Sequence, residues 1–190
     1  PIEAVYRSAD LKTREALEVR KWLDTDEGPR ADTSLEGLAK LRPVFAAKGS
    51  VTAGNSSQMS DGAGALLVCS EEAIKRYGFT PLARYDGFAV RGVPPEIMGI
   101  GPKEAIPAVL KSSGRTLADI KWMELNEAFA AQALAVIRDL DLDTNIVNPN
   151  GGAIALGHPL GATGAIRAAT VIHGMRERGE TGYGMVTMCI

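Results

Sequence analysis

Apolar positions fall into short blocks divided by polar, Gly- and Pro-bearing stretches, and the blocks change character along the chain. Residues 34–41 place apolar side chains at 35, 38 and 41, the spacing of a turn or two of helix that Pro43 would end. Residues 63–69 are a continuous apolar run of the length expected for a buried strand. Ser70 then offers an N-cap, Glu71 and Glu72 suit a first helical turn, and Gly78 suits its end. Residues 82–90 read as a second strand and 94–101 as a loop, after which Pro102 opens a helix running to Gly114. Pro107 would cost about 3 kcal/mol in a helix interior, so it is expected within the first turn or two. Residues 120–125 read as a third strand, and Asn126 caps or opens a helix through Leu140. A Gly-rich loop over 145–160, a helix over 161–178 and a fourth strand over 183–190 complete the pattern. The start is less regular: 12–23 fits either strand or helix, 24–33 reads as a loop, and 52–64, rich in Gly, Ser and Asn, as another. Strands alternating with helices predict an α/β layered fold.

Composition narrows the classes. The 190 residues are 45% hydrophobic and 23% charged, the profile of a folded globular chain rather than a disordered one. A net charge of −2 without a run of one sign argues against a nucleic-acid surface. The cysteines, Cys69 and Cys189, form no CxxC pair and no disulfide framework, which suggests a reducing compartment. No apolar run reaches the roughly 20 residues of a membrane span, and no signal-peptide pattern opens the sequence. A start at Pro1 and an apolar end at Ile190 suggest a piece of something longer.

Three places could carry chemistry. Asn126-Glu127-Ala128-Phe129-Ala130 lies where a strand meets a helix, the position at which open α/β sheets build sites; Asn126 could equally be a simple N-cap. Residues 148–164, rich in Gly and Pro, fix a special backbone path around His158. A rigid loop holds an imidazole in one place, as a general base requires. Neither GxGxxG after a strand nor GxxxxGK[ST] occurs there, against a nucleotide-phosphate loop. Cys189 stands at the end of the last strand and is either a reactive thiol or a small buried hydrophobe; Cys69, inside an apolar run, reads as the latter. His173 reads as a surface group, and no metal-ligand cluster is apparent.

Together these segments resemble the thiolase family. NEAFA at 126–130, NGGAIALGHPLGATG at 150–164 and a cysteine near the C-terminus occur in the family's order and spacing, and GNSSQMSDGAGALL at 54–67 and MGIGP at 98–102 match further family segments. The resemblance implies an α-β-α layered fold, with residues 1–54 a remnant of the family's loop domain and 55–190 its C-terminal domain, cut before the last strand. It implies an acyltransferase that cleaves 3-ketoacyl-CoA with CoA, or runs the reverse condensation, in fatty-acid β-oxidation. No metal or prosthetic group is implied; CoA and acyl-CoA are substrates. A homodimer or homotetramer in a bacterial cytoplasm is expected, with a mitochondrial or peroxisomal matrix open.

For individual residues, the resemblance implies that His158 draws the proton from a nucleophilic cysteine that this sequence does not contain, so that the 190 residues alone are expected to be inactive. Cys189 would be the second acid/base, and Asn126 would hold a water that stabilises an enolate oxygen. Ser57 and Arg30 match CoA-contacting positions, and Met98 and Phe129 match residues lining the acyl-thioester pocket. Against this stands a non-catalytic, thiolase-like fragment that binds CoA thioesters; a ketoacyl synthase, another condensing enzyme, fits less well because such enzymes often pair two histidines.

Overall fold

A computed structural model describes residues 1–189 and divides the chain into two compact units, Pro1–Thr33 and the residues from Ser34 onward. The first unit is a β-hairpin. Strands β1 (Ile2–Ala9) and β2 (Ala16–Leu23) pair antiparallel in register Ile2↔Leu23 through Ala9↔Ala16. The undecided stretch 12–23 is therefore turn and strand. The Asp10 carboxylate accepts from the Lys12 and Thr13 amides, and Arg14 takes a positive φ of 63° to close the turn.

In the second unit a short helix α1 (Leu35–Ala39) is capped by Ser34, whose hydroxyl accepts from the Gly37 amide. Helix α2 (Glu71–Tyr77) is capped by Ser70 and ends on Gly78 at φ 66°. Helix α3 (Gly101–Ser113) ends on Gly114 at φ 69°, with Pro107 in its second turn. Strand β3 (Ile120–Leu125) leads towards α4 (Ala130–Asp139), the short α5 (Ala153–Leu156) and the long α6 (Leu160–Glu177). Strand β4 (Tyr183–Thr187) pairs parallel with β3, from Ile120↔Tyr183 to Leu125↔Thr187.

Layering follows from the two-residue period of β3. Met123 and Leu125 face Ile106 and Leu110 of α3 and Ala133 and Val136 of α4, in one buried cluster. Trp122 faces the other way, onto Val171 and Met175 of α6. The sheet thus lies between α3 and α4 on one side and α6 on the other, and the chain folds as the α/β layered sandwich that its pattern predicts.

Some expected elements do not form. Residues 63–69 and 82–90 are not strands: a strand needs a hydrogen-bonded neighbour, and among the described residues β3 and β4 form the one ladder of the second unit. Most of those apolar side chains are exposed, Val68 at 86% and Phe88 at 72%. Asn126 does not cap a helix. Its amide donates to the Thr187 carbonyl at 2.9 Å, continuing the β3–β4 ladder, and α4 begins only at Ala130. The fourth strand ends at Thr187, and Ile190 lies outside the described residues.

Candidate active site

The α6-facing side of β3 carries an unusual series for a buried strand. Trp122, Glu124 and Asn126 alternate onto that face and all have 0% exposure. At the first level the Trp122 ring lies over Gly174, where a Cβ would stand 2.8 Å from ring carbon Cζ2. At the second, the Glu124 carboxylate accepts from Trp122 Nε1 at 2.8 Å and from the Arg167 guanidinium at 2.9 Å. Arg167 is 3% exposed and also donates to the Gly151 carbonyl at 3.2 Å. Each charge in that pair has its partner, which is the condition for burying it. At the third level Asn126 meets His158, just ahead of α6.

His158 is held on both ring nitrogens. Asn126 Nδ2 lies 3.3 Å from Nε2, and Thr163 Oγ1 lies 2.7 Å from Nδ1. An amide NH2 only donates, so this network assigns Nε2 as the acceptor and Nδ1 as the nitrogen that carries hydrogen and donates to Thr163. Burial first, and the Arg167 charge second, push the imidazole below its ordinary 6.5. The ring is therefore neutral at pH 7 with its lone pair on Nε2, the form a general base needs. Asn126 Oδ1 is buried and has no hydrogen-bond partner among the described residues.

The Gly-rich loop places the histidine through its backbone. Asn148, Gly151 and Gly157 take φ of 47°, 96° and 89°. At Gly157 a side chain would run into Ser60, so glycine is required there on two counts. A segment from residue 56 threads between the two chemical motifs: the Ser57 amide donates to Ala128 at 2.9 Å, and the His158 amide donates to Gln58 at 2.8 Å. Beside it, a cleft of about 580 Å³ opens between residues 59–64 and 158–162, with Met59, Ser60, His158 and Leu160 among its walls.

Of the residues singled out from the sequence, the fold brings Asn126, His158 and Ser57 together. Phe129 lies next to them, bridged through its backbone to Ser56 and packed edge-on to Phe45 with ring centroids 5.6 Å apart. Met98 is 45% exposed, in a 3-10 turn against α4. Cys189 lies two residues beyond the end of β4 at Thr187, whose carbonyl accepts from the Asn126 amide; it is half-buried, and that burial pushes its thiol above the ordinary 9.0. Arg30 belongs to the first unit, exposed, with its guanidinium 3.3 Å from Asp32. Among the described residues no group of three or more His, Cys, Asp or Glu could hold a metal ion, and no helix is long and apolar enough to cross a membrane.

Sequence reasoning passed over Thr163, Arg167, Glu124 and Glu127. One signal was available: in IKWMEL, Glu124 stands among apolar residues two places from Trp122, and a carboxylate on a buried strand face must find a cation there.

Residues 79–190 match the family model described as the C-terminal domain of thiolase, and residues 11–72 match that of the thiolase N-terminal domain. The chain is 56% identical over 165 residues to the 3-ketoacyl-CoA thiolase of Bacillus subtilis, covering 87% of this chain and 42% of that protein. It is 50% identical over 181 residues to human mitochondrial 3-ketoacyl-CoA thiolase, covering 95% of this chain and 45% of the relative. Among solved structures it superposes on the Bacillus anthracis acetyl-CoA acetyltransferase with a TM-score of 0.82 at 44% identity, over 100% of this chain and 46% of that one. It superposes on human mitochondrial 3-ketoacyl-CoA thiolase in complex with CoA with a TM-score of 0.76 at 46% identity, over 93% and 43%. The chain thus spans less than half the length of these relatives.

Proposed function

We infer the activity from one premise: the chain belongs to the thiolase family. The full-length protein, in this reading, transfers an acyl group between a 3-ketoacyl-CoA and CoA. His158 Nε2 accepts the proton of a cysteine thiol supplied outside these residues, and the thiolate attacks the C3 carbonyl. The C2–C3 bond breaks, its electron pair passing to the acetyl-CoA enolate. A water that donates one hydrogen to the unpaired Asn126 Oδ1 and the other to the enolate oxygen stabilises it, together with the N–H that His158 Nε2 now carries. The Cys189 thiol protonates C2, and its thiolate then takes the proton of the incoming CoA thiol. The CoA thiolate attacks the acyl-cysteine thioester, the C–S bond to the enzyme breaks to release the shortened acyl-CoA, and His158 returns its proton to the departing cysteine. Condensation is the same sequence reversed.

The observation that supports this most is the pinned imidazole, with Thr163 on Nδ1 and Asn126 at Nε2. A histidine serving only to pack would not need its accepting nitrogen aimed at a second motif. For the substrate we assign the cleft beside His158 to the pantetheine arm, with Ser57 near it, Met98 and Phe129 towards the acyl group, and Arg30 towards the nucleotide end. Residues 1–54 would then belong to the loop domain and 55–190 to the C-terminal domain. A place in fatty-acid β-oxidation, a homo-oligomer and a bacterial cytoplasm complete the proposal.

The test is acetoacetyl-CoA cleavage by the full-length protein with added CoA. Cleavage reduced by about 1000-fold or more in His158→Ala is expected. A wild type that cleaves no 3-ketoacyl-CoA, or a His158→Ala variant that cleaves as fast as wild type, would overturn the assignment.

A further inference from the structure

Between Asn148 and His158 the loop is tied down at points that the chemistry above does not use, and one of these ties comes from the residue next to Asn126. The Glu127 carboxylate accepts from Asn148 Nδ2 at 3.0 Å through one oxygen and from the Ile154 amide at 3.2 Å through the other. Ile154 lies in α5, whose N-cap is Gly152 and which has no side-chain cap of its own. The carboxylate fills the space over Gly152 that any Cβ would need. Asn148 is itself fastened to β3: its Oδ1 accepts from the Leu125 amide at 2.9 Å and its Nδ2 donates to the Leu125 carbonyl at 2.8 Å.

We propose that Glu127 is a positioning residue for His158, a strut that fixes α5, and so the histidine that follows it, relative to Asn126. The inference rests on the thiolase reading for its activity assay but on geometry for its substance. Asn126 and His158 approach to 3.3 Å, already long for a hydrogen bond, so a displacement of a few tenths of an ångström separates them. Glu127 shares a backbone with Asn126 and reaches α5 through its side chain, so its length and its acceptors together set that gap. Two acceptors are needed because both partners are N–H donors. In Glu127→Gln one acceptor becomes a donor facing a donor; in Glu127→Asp both acceptors remain on a side chain too short to reach both partners.

The experiment compares full-length wild type, Glu127→Gln and Glu127→Asp by acetoacetyl-CoA thiolysis, denaturant unfolding and the 15N signals of the His158 imidazole, assigned by their loss in His158→Asn. Both variants are expected to lose about 10- to 100-fold in kcat with KM within about threefold of wild type, as for a group that orients a base. The Nε2 signal should shift as its contact with Asn126 opens, while the unfolding midpoint stays near that of wild type. Unchanged kcat with unchanged imidazole signals would overturn the proposal. So would a loss of activity that merely follows a loss of stability, with wild-type imidazole signals in the folded fraction. If the wild type proves to cleave no 3-ketoacyl-CoA, the functional reading falls; a shifted imidazole signal would still support the strut, and an unshifted one would refute it.

Discussion

Gly174→Ala sets two effects of known size against each other. In the interior of α6 the change raises helix propensity, worth about 1 kcal/mol. The new methyl, however, would press hardest on Trp122 Cη2 and stand 2.8 Å from Cζ2, both well inside the ~3.5–4.0 Å of ordinary carbon contact. The indole would have to retreat by roughly 1 Å or more. It has little freedom to do so: it has 0% exposure, Nε1 is bound to Glu124 at 2.8 Å, and the Arg178 guanidinium lies 4.5 Å from the ring centroid. Overpacking of this kind costs about 1–3 kcal/mol, and the pinned ring places this case near the upper end. The net expectation is a loss of about 2 kcal/mol. Gly164→Ala, in the same helix, supplies the control, since a Cβ there meets nothing within 4 Å. It should gain up to about 1 kcal/mol, separating the two variants by about 3 kcal/mol. Denaturant unfolding midpoints at constant slope measure the difference. A Gly174→Ala protein that unfolds at the wild-type denaturant concentration or above would refute the tight Trp122–Gly174 packing.

Thr163→Val keeps shape but strands the His158 Nδ1–H, and kcat should fall by about 10- to 100-fold, read in steady-state kinetics. Arg167→Met leaves the Glu124 carboxylate buried without its cation and should destabilise by about 3–5 kcal/mol, with Glu124→Gln in the same chain recovering part of the loss in denaturant titrations. Because the folded state disfavours the His158 imidazolium, the acidic limb of kcat/KM should lie below pH 6.5. Stability follows the same sign: as pH falls through 6.5 the unfolded imidazole takes up its proton first, so stability declines from there down to the folded value, and His158→Asn should remove that slope.

The sequence carried the helices well because their ends are written locally. Ser70 and Gly78 bracket α2 by capping and left-handed geometry, and Gly114 ends α3 the same way. Strands were less legible, since apolar content says that a segment would be buried but not against what. Residues 63–69 and 120–125 are both short runs rich in apolar residues, yet only the second finds a ladder partner. Asn126 read as a helix cap because Asn before an apolar periodic segment is the commonest such signal; the neighbouring strand claimed its amide instead. Within the site, His158 stood out through its Gly/Pro frame. Thr163 did not, because its meaning depends on a helix turn folding back over the ring that precedes it, a relation with no signature in composition. Glu127 was likewise hidden, since its partners lie 21 and 27 residues away.

The thread from residue 56 has a consequence in time. Ser57 joins Ala128 and Gln58 joins His158, closing chain loops of roughly 70 and 100 residues. Loops of that size close late, after the local helices have formed, because their entropy is lost before any contact offsets it. The arrangement around the imidazole should therefore be among the last features to assemble. The amide protons of Ser57 and His158 become clocks for that event: in pulse-labelled refolding they should gain protection after those of α3 and α6, and report completion of the fold rather than its beginning.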